Sequence, residues 1–123
     1  MTLDANIVIA YLNGDPIIEE FIKKSRSEGL LLFLPTVAES EVLSFSNWTP
    51  EERKATEQFL EENFTSITFD RSIARIAAEI RRTVKIKFPD AAIAATALFT
   101  KTPLLTRNLH DFQNVPDLQI LSI

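Results

Sequence analysis

Leu30-Leu31-Leu32-Phe33-Leu34-Pro35 is an unbroken apolar run that stops at a proline. A strand with one wet face alternates apolar and polar residues. A run without alternation suits a strand covered on both faces, as in a parallel sheet sandwiched between helices. Four further strand-like runs flank it: Met1 to Leu3, Ser66 to Phe69, Pro103 to Thr106 and a weak one from Leu118 to Leu121. Helical patterns fill the intervals. Ile17, Phe21 and Ile22 share one face of a helix from about Pro16 to Ser27, which Gly29 then breaks. Val37 to Phe45 carries Val42, Leu43 and Phe45. Thr49-Pro50-Glu51-Glu52 reads as an N-cap, a proline at the first helical position and early acids, so a helix runs to about Asn63. Asp70 caps the next, with Ile73, Ile76, Ala77 and Ile80 on its buried face, and Pro89 or Asp90 opens another that reaches about Phe99. Strands alternating with helices predict an α/β fold, its parallel sheet joined by right-handed crossovers.

The chain has 123 residues, which suits a single domain spanning 1–123; no linker, repeat or low-complexity tract divides it. Hydrophobic residues make up 46% and charged residues 24%, an ordinary globular balance. The absence of cysteine excludes disulfides and thiolate metal sites. No apolar run is long enough to span a membrane, and Met1-Thr2-Leu3-Asp4 lacks the features of a signal peptide, so a cytoplasmic protein with no membrane association is expected. The net charge of −4 argues against an ordinary nucleic-acid-binding domain. That argument reverses locally if several acids hold divalent cations, whose charge would meet an approaching phosphate.

The acids fall where open parallel sheets build sites, outside the carboxyl ends of the strands. Asp4 closes the first strand-like run. Glu41 lies one or two turns past the second. Asp90 opens the alanine-rich helix, and Asn108 and Asp111 follow the strand ending at Thr106. Carboxylates gathered at one sheet edge repel one another unless a cation joins them, which points to a divalent metal site and metal-assisted hydrolysis. Each residue also has a plainer reading. Asp4 could cap a strand end, and Asp90 could be an ordinary N-cap. Glu39 competes with Glu41; two residues apart on a helix they point in different directions, so one of them faces the site, and Glu41 is favoured. Thr106 could contribute a hydroxyl, with Thr36 and Ser40 weaker candidates. His110 reads as a surface residue. Arg71, Arg75, Arg81, Arg82, Lys85 and Lys87 form a basic stretch before Asp90, read as a solvated helix face or, alternatively, an RNA path or partner contact. Phe45 and Trp48 read as core, with a partner groove as the alternative.

Four segments carry a resemblance to a known family: Leu3-Asp4-Ala5-Asn6, Glu41-Val42-Leu43-Ser44-Phe45, Phe88-Pro89-Asp90-Ala91-Ala92-Ile93-Ala94-Ala95-Thr96-Ala97 and Leu105-Thr106-Arg107-Asn108-Leu109-His110-Asp111-Phe112. In order and spacing they resemble the motifs of the PIN-domain metal-dependent ribonucleases, most closely the VapC-type toxins of toxin–antitoxin pairs. The resemblance implies a three-layer fold whose five-stranded parallel sheet has the order 3-2-1-4-5, with helices on both faces. It implies Asp4, Glu41 and Asp90 as metal-binding acids for Mg²⁺ or Mn²⁺, an RNA substrate, a cognate antitoxin and a homodimer. The family's fourth acid commonly follows Thr-Arg directly, where this chain has Asn108. Either Asn108 supplies a neutral oxygen or Asp111 takes the carboxylate role, and one firmly held metal is expected rather than two. Ala5 stands where the family often has threonine.

Mg²⁺ and Mn²⁺ prefer hard oxygen ligands, and three carboxylates with waters and a substrate phosphate satisfy them. The expected function is therefore that of a metal-dependent endoribonuclease, the toxin of such a pair. The alternative is a catalytically weakened module of the same fold that binds RNA or protein, for which Asn108 is the best support. A phosphoacceptor signalling domain shares the size and fold class. It needs paired acids after strand one and a late lysine after its strand, whereas here Lys101 precedes the strand.

Overall fold

The computed structural model describes the whole chain, Met1–Ile123. Five strands form one parallel sheet: β1 (Thr2–Leu3), β2 (Phe33–Pro35), β3 (Thr65–Ile67), β4 (Leu104–Thr106) and β5 (Ile120–Ser122). Their spatial order is β3-β2-β1-β4-β5. Seven helices connect them: α1 (Ala5–Leu12), α2 (Pro16–Ser27), α3 (Thr36–Leu43), α4 (Pro50–Asn63), α5 (Arg71–Thr83), α6 (Phe88–Thr100) and α7 (Leu109–Phe112). The first two crossovers step toward one edge and the last two toward the other. Right-handed connections then place α1–α4 on one face and α5–α7 on the opposite face. The expected α/β fold, its strand order and the two helices between β2 and β3 are all present.

Caps explain where most helices begin. Asp15 accepts the amides of Ile17 and Ile18 at the start of α2. Thr49 and Glu52 form a reciprocal capping box at α4. Asp70 accepts the amide of Ile73 at α5. Past α2, Gly29 adopts φ +76°, the left-handed conformation that glycine takes without steric penalty. No helix is long and apolar enough to cross a membrane.

Helix α6 positions the site and explains its own composition. Residues Ala91 to Ala97 are all buried, on every side of the helix. It packs along α5 and also touches α3 and β1, so small side chains are needed all round. Replacing such an alanine with a larger residue would overpack the interior, at a cost of about 1–3 kcal/mol.

The structure corrects several expectations. The apolar run does not enter the sheet along its full length. Thr2 of β1 pairs with Phe33, so Leu30 and Leu31 lie beyond the neighbouring strand and are exposed. There the Leu31 carbonyl accepts the terminal ammonium of Met1 at 2.7 Å. Pro35 is the last residue of β2, opposite Ile67, rather than a residue past its end. Helix α3 stops at Leu43, leaving Phe45 outside it and exposed, and Trp48 is only partly buried. Ile76 lies at the margin of the α5 face rather than fully within it. Helix α1 was not expected from the sequence.

Candidate metal and nuclease site

Asp4 is the centre of the arrangement. Strand β1 ends at Leu3 and α1 begins at Ala5, so Asp4 alone joins them and serves as the α1 N-cap. The residue is 6% exposed. Oδ1 accepts the amide of Ala5 at 2.8 Å, and Oδ2 accepts the hydroxyl of Thr106 at 2.7 Å. Burial nevertheless pushes the Asp4 carboxyl above the usual aspartate range. The two hydrogen bonds oppose that shift, and the charge of Asp111 reinforces it.

Asp90 lies in the first turn of α6, and Glu41 lies on α3. Both carboxyls are pushed upward, by burial first and then by facing acids. Asp90 feels Asp4 and Asp111, partly offset by Lys87; Glu41 feels Asp4 and Asp90. These mutual effects place Asp4, Glu41, Asp90 and Asp111 around one region. None of the four takes part in an ion pair; the pairs present are Arg53–Glu57, Arg82–Glu79 and Arg107–Asp15.

Glu39 is raised as well, but by burial and then by Glu61 and Glu57 of α4. It therefore faces α4 while Glu41 faces the other acids, which separates two residues that sequence left in competition. The fourth position divides its roles. Asn108 donates its amide Nδ2 to Asp111 Oδ2 at 2.7 Å, and its backbone N–H to Thr106 Oγ1 at 2.9 Å. Asp111 supplies the charge that Asp4 and Asp90 feel, and Asn108 orients it. Thr106 links the two halves, donating to Asp4 while accepting from Asn108. Thr36 is engaged elsewhere, accepting the amide of Phe69 at 3.1 Å, and Ser40 is exposed on α3. His110 is exposed and lines a cavity together with Asp90 and Asp111.

Two features went unread in the sequence. Arg107 turns to Asp15 and donates Nη1 to Oδ2 at 2.7 Å, tying the segment after β4 to the start of α2. Asn6 Oδ1 is buried and accepts no hydrogen bond. It adds an uncompensated oxygen to the turn that carries Asp4. Neither is signalled by composition or spacing, since both depend on a side chain's partner in space.

The donor set fits a hard divalent cation. It consists of carboxylate oxygens without thiol or imidazole in the inner group, and Lys87 offsets only part of its charge, at Asp90. No three of these groups converge into a ready-made cage. Magnesium suits such a half-built site, since it keeps several waters and binds through one or two carboxylates plus substrate phosphates.

The PIN domain family model matches residues 1–118. This chain belongs to the PIN domain family. Among individual relatives of this PIN domain, the curated protein "Ribonuclease VapC" of Rickettsia bellii is 25% identical over 133 aligned positions, covering 100% of this chain and 96% of that one. A toxin–antitoxin complex from Klebsiella pneumoniae contains a chain 26% identical, with TM-score 0.76, covering 99% of this chain and 98% of that chain. VapBC2 from Rickettsia felis, bound to a promoter DNA fragment, superimposes with TM-score 0.85 at 19% identity, covering 99% and 97% of the two chains. VapBC-1 from nontypeable Haemophilus influenzae gives TM-score 0.84 at 24% identity, covering 98% and 96%. The last two establish the PIN fold and nothing finer.

Proposed function

We propose that this PIN domain is a metal-dependent endoribonuclease, the toxin of a toxin–antitoxin pair, with Mg²⁺ or Mn²⁺ as its ion. The observation that carries the reading is the group of four facing carboxylates, three with raised proton affinity and none ion-paired. In a family that holds ribonuclease toxins, that arrangement favours a cation over four isolated surface acids.

Asp4, Asp90 and Glu41 would hold the ion, and Asp111 would complete the set, oriented by Asn108. An ion held there would acidify a water for in-line attack and offset charge developing on the phosphoryl oxygens. Thr106 and the Ala5 amide keep both Asp4 oxygens aimed, so that ligand needs no reorganisation when substrate arrives. The pathway requires no covalent enzyme intermediate and no histidine base.

The antitoxin belongs to the same proposal. It is supported by the Klebsiella relative's occurrence in a toxin–antitoxin complex and by an apolar groove of about 510 Å³ beside Glu41. Ile9, Leu12, Val42, Phe45 and Trp48 line it, with Phe45 and Trp48 in edge-to-face contact at 5.6 Å. An apolar segment of the antitoxin would cover this groove. The homodimer is carried as part of the same reading.

Asn108 in place of the usual acid favours a second reading, a weakened module that binds RNA or protein without cutting it. One experiment separates the two: Mn²⁺-dependent cleavage of RNA by the wild type, Asp4→Asn and Asp90→Asn, each with its melting curve. Cleavage by the wild type that is lost in both folded variants supports the nuclease. Full activity in either variant removes the site assignment, and an inactive wild type favours the binding module.

A further inference from the structure

The two flanks of the acids differ in chemistry. The Glu41 flank is the apolar groove. The flank beyond Asp90 and Asp111 is a cavity of about 520 Å³ that Arg81, Lys85, Lys87 and His110 also line. A cavity of this size falls within the roughly 300–1,000 Å³ of small-ligand sites.

Local structure explains why the cations gather there. Arg81 lies in the last turn of α5, where a positive side chain also suits the helix dipole. Residues 84–87 join α5 to α6 as extended chain, with Val84 at ψ 152° and Lys87 at ψ 152°. Extended chain alternates its side chains. Val84 and Ile86 pack against the core, and Lys85 and Lys87 are exposed on the other side. The next arginine along, Arg82, is paired with Glu79, but Arg81, Lys85 and Lys87 form no ion pair, and Lys87 acts on Asp90 only at longer range. In a chain of net charge −4, three unpaired cations lining one cavity beside the acids are a local reversal of sign.

We propose that this cavity binds the RNA backbone next to the scissile phosphate, with Arg81 and Lys85 as the principal phosphate contacts. The proposal rests on the nuclease reading for the position of the scissile bond. The subsite reads charge and not base identity, since phosphate contacts position a strand without specifying its sequence. An acidic protein segment is the competing occupant. The apolar groove on the opposite flank is the surface suited to a protein partner, and the cationic flank is the one suited to a polyanion.

The test uses the full chain, the double variant Arg81→Gln/Lys85→Gln and, as a control, Arg53→Gln on α4. Binding of a short fluorescein-labelled single-stranded RNA is followed by anisotropy in EDTA across a salt series. Cleavage of that RNA and of bis(p-nitrophenyl) phosphate is measured with Mn²⁺. The double variant should bind RNA roughly tenfold more weakly. The slope of log affinity against log salt should fall by about 1.4, at about 0.7 for each single-strand phosphate that is no longer neutralised. KM for RNA should rise while kcat holds, and the small phosphodiester, which reaches only the acids, should be cut at the wild-type rate. Arg53→Gln should change none of these. Unchanged RNA affinity and salt slope in the double variant overturn the subsite. A wild type that cuts neither substrate defeats the nuclease reading separately, since the metal-free salt slope still decides whether the cavity holds RNA.

Discussion

Thr106 donates its hydroxyl to Asp4 across the β1–β4 pair, at 2.7 Å, at the carboxyl ends of two adjacent strands. The same oxygen accepts the amide of Asn108, so one buried hydroxyl orders a buried carboxylate and the segment carrying Asp111. Thr106→Val keeps the shape and removes both bonds. Asp4 then loses its side-chain donor, and its proton affinity rises further. Mn²⁺ affinity should fall roughly tenfold or more, as when other supporting partners of metal ligands are removed. Isothermal titration checks this, and unchanged affinity would show that Thr106 does not support the site.

Asp90→Asn should stabilise the metal-free protein. The folded state raises the Asp90 pKa, so folding opposes its ionisation. Below the ordinary aspartate value no penalty exists. It develops as pH rises through that value toward the raised one and is complete above it. The melting temperature of Asp90→Asn should therefore match the wild type in acid and exceed it near neutrality, by roughly 2 °C or more. Saturating Mn²⁺ should reverse the order, because the wild type gains more from binding. A variant less stable than the wild type at neutral pH without metal contradicts the raised proton affinity that burial and the facing acids give Asp90.

Metal affinity should climb with pH over the mildly acidic range. Asp4, Glu41 and Asp90 all hold protons more tightly than free carboxyls, and a cation must displace them. Binding should release protons, seen as a binding heat that depends on the buffer's ionisation enthalpy. Buffer-independent heats at mildly acidic pH would count against the raised values.

Asn108 and Asp111 should behave as one unit. Asn108→Ala removes the donor that orients Asp111 and should reduce activity moderately. Asp111→Ala removes the charge itself and should reduce it far more. Once Asp111 is gone, the Asn108 change should add little, because coupled neighbours are not additive. Additive losses measured as kcat/KM would place Asn108 in a separate role.

Much of this arrangement is readable from the chain because the fold delivers strand ends to one edge. Asp4, Asp90 and the residues after Thr106 reach that edge by connectivity alone, so their order sufficed. Caps at Thr49 and Asp70 were equally local, since each satisfies an amide within three residues. Helix α1 was harder. It follows Asp4 without a loop, and Ile7, Val8 and Ile9 give it a β-branched run that carries no helical signal. The exposure of Leu30 and Leu31 depends on how short β1 is, a fact about a neighbour about 30 residues away in the chain. The division of labour between Asn108 and Asp111 rests on one side-chain hydrogen bond in a one-turn helix, and that of Glu39 and Glu41 on which helix each one meets.

The direct join of β1 to α1 has a consequence for control. The Asp4 N–H is held by Leu105, its carbonyl receives the amides of Ile7 and Val8, and no slack residue lies between sheet and helix. The Ala5 and Ile7 amides should exchange hydrogen only when the whole sheet opens, so the Asp4 carboxylate cannot swing aside while the fold persists. An acid bolted to its frame in this way has, in the proposed nuclease, no internal off position. Regulation of the proposed activity must then arrive from outside, as a lid laid over a site that is always set.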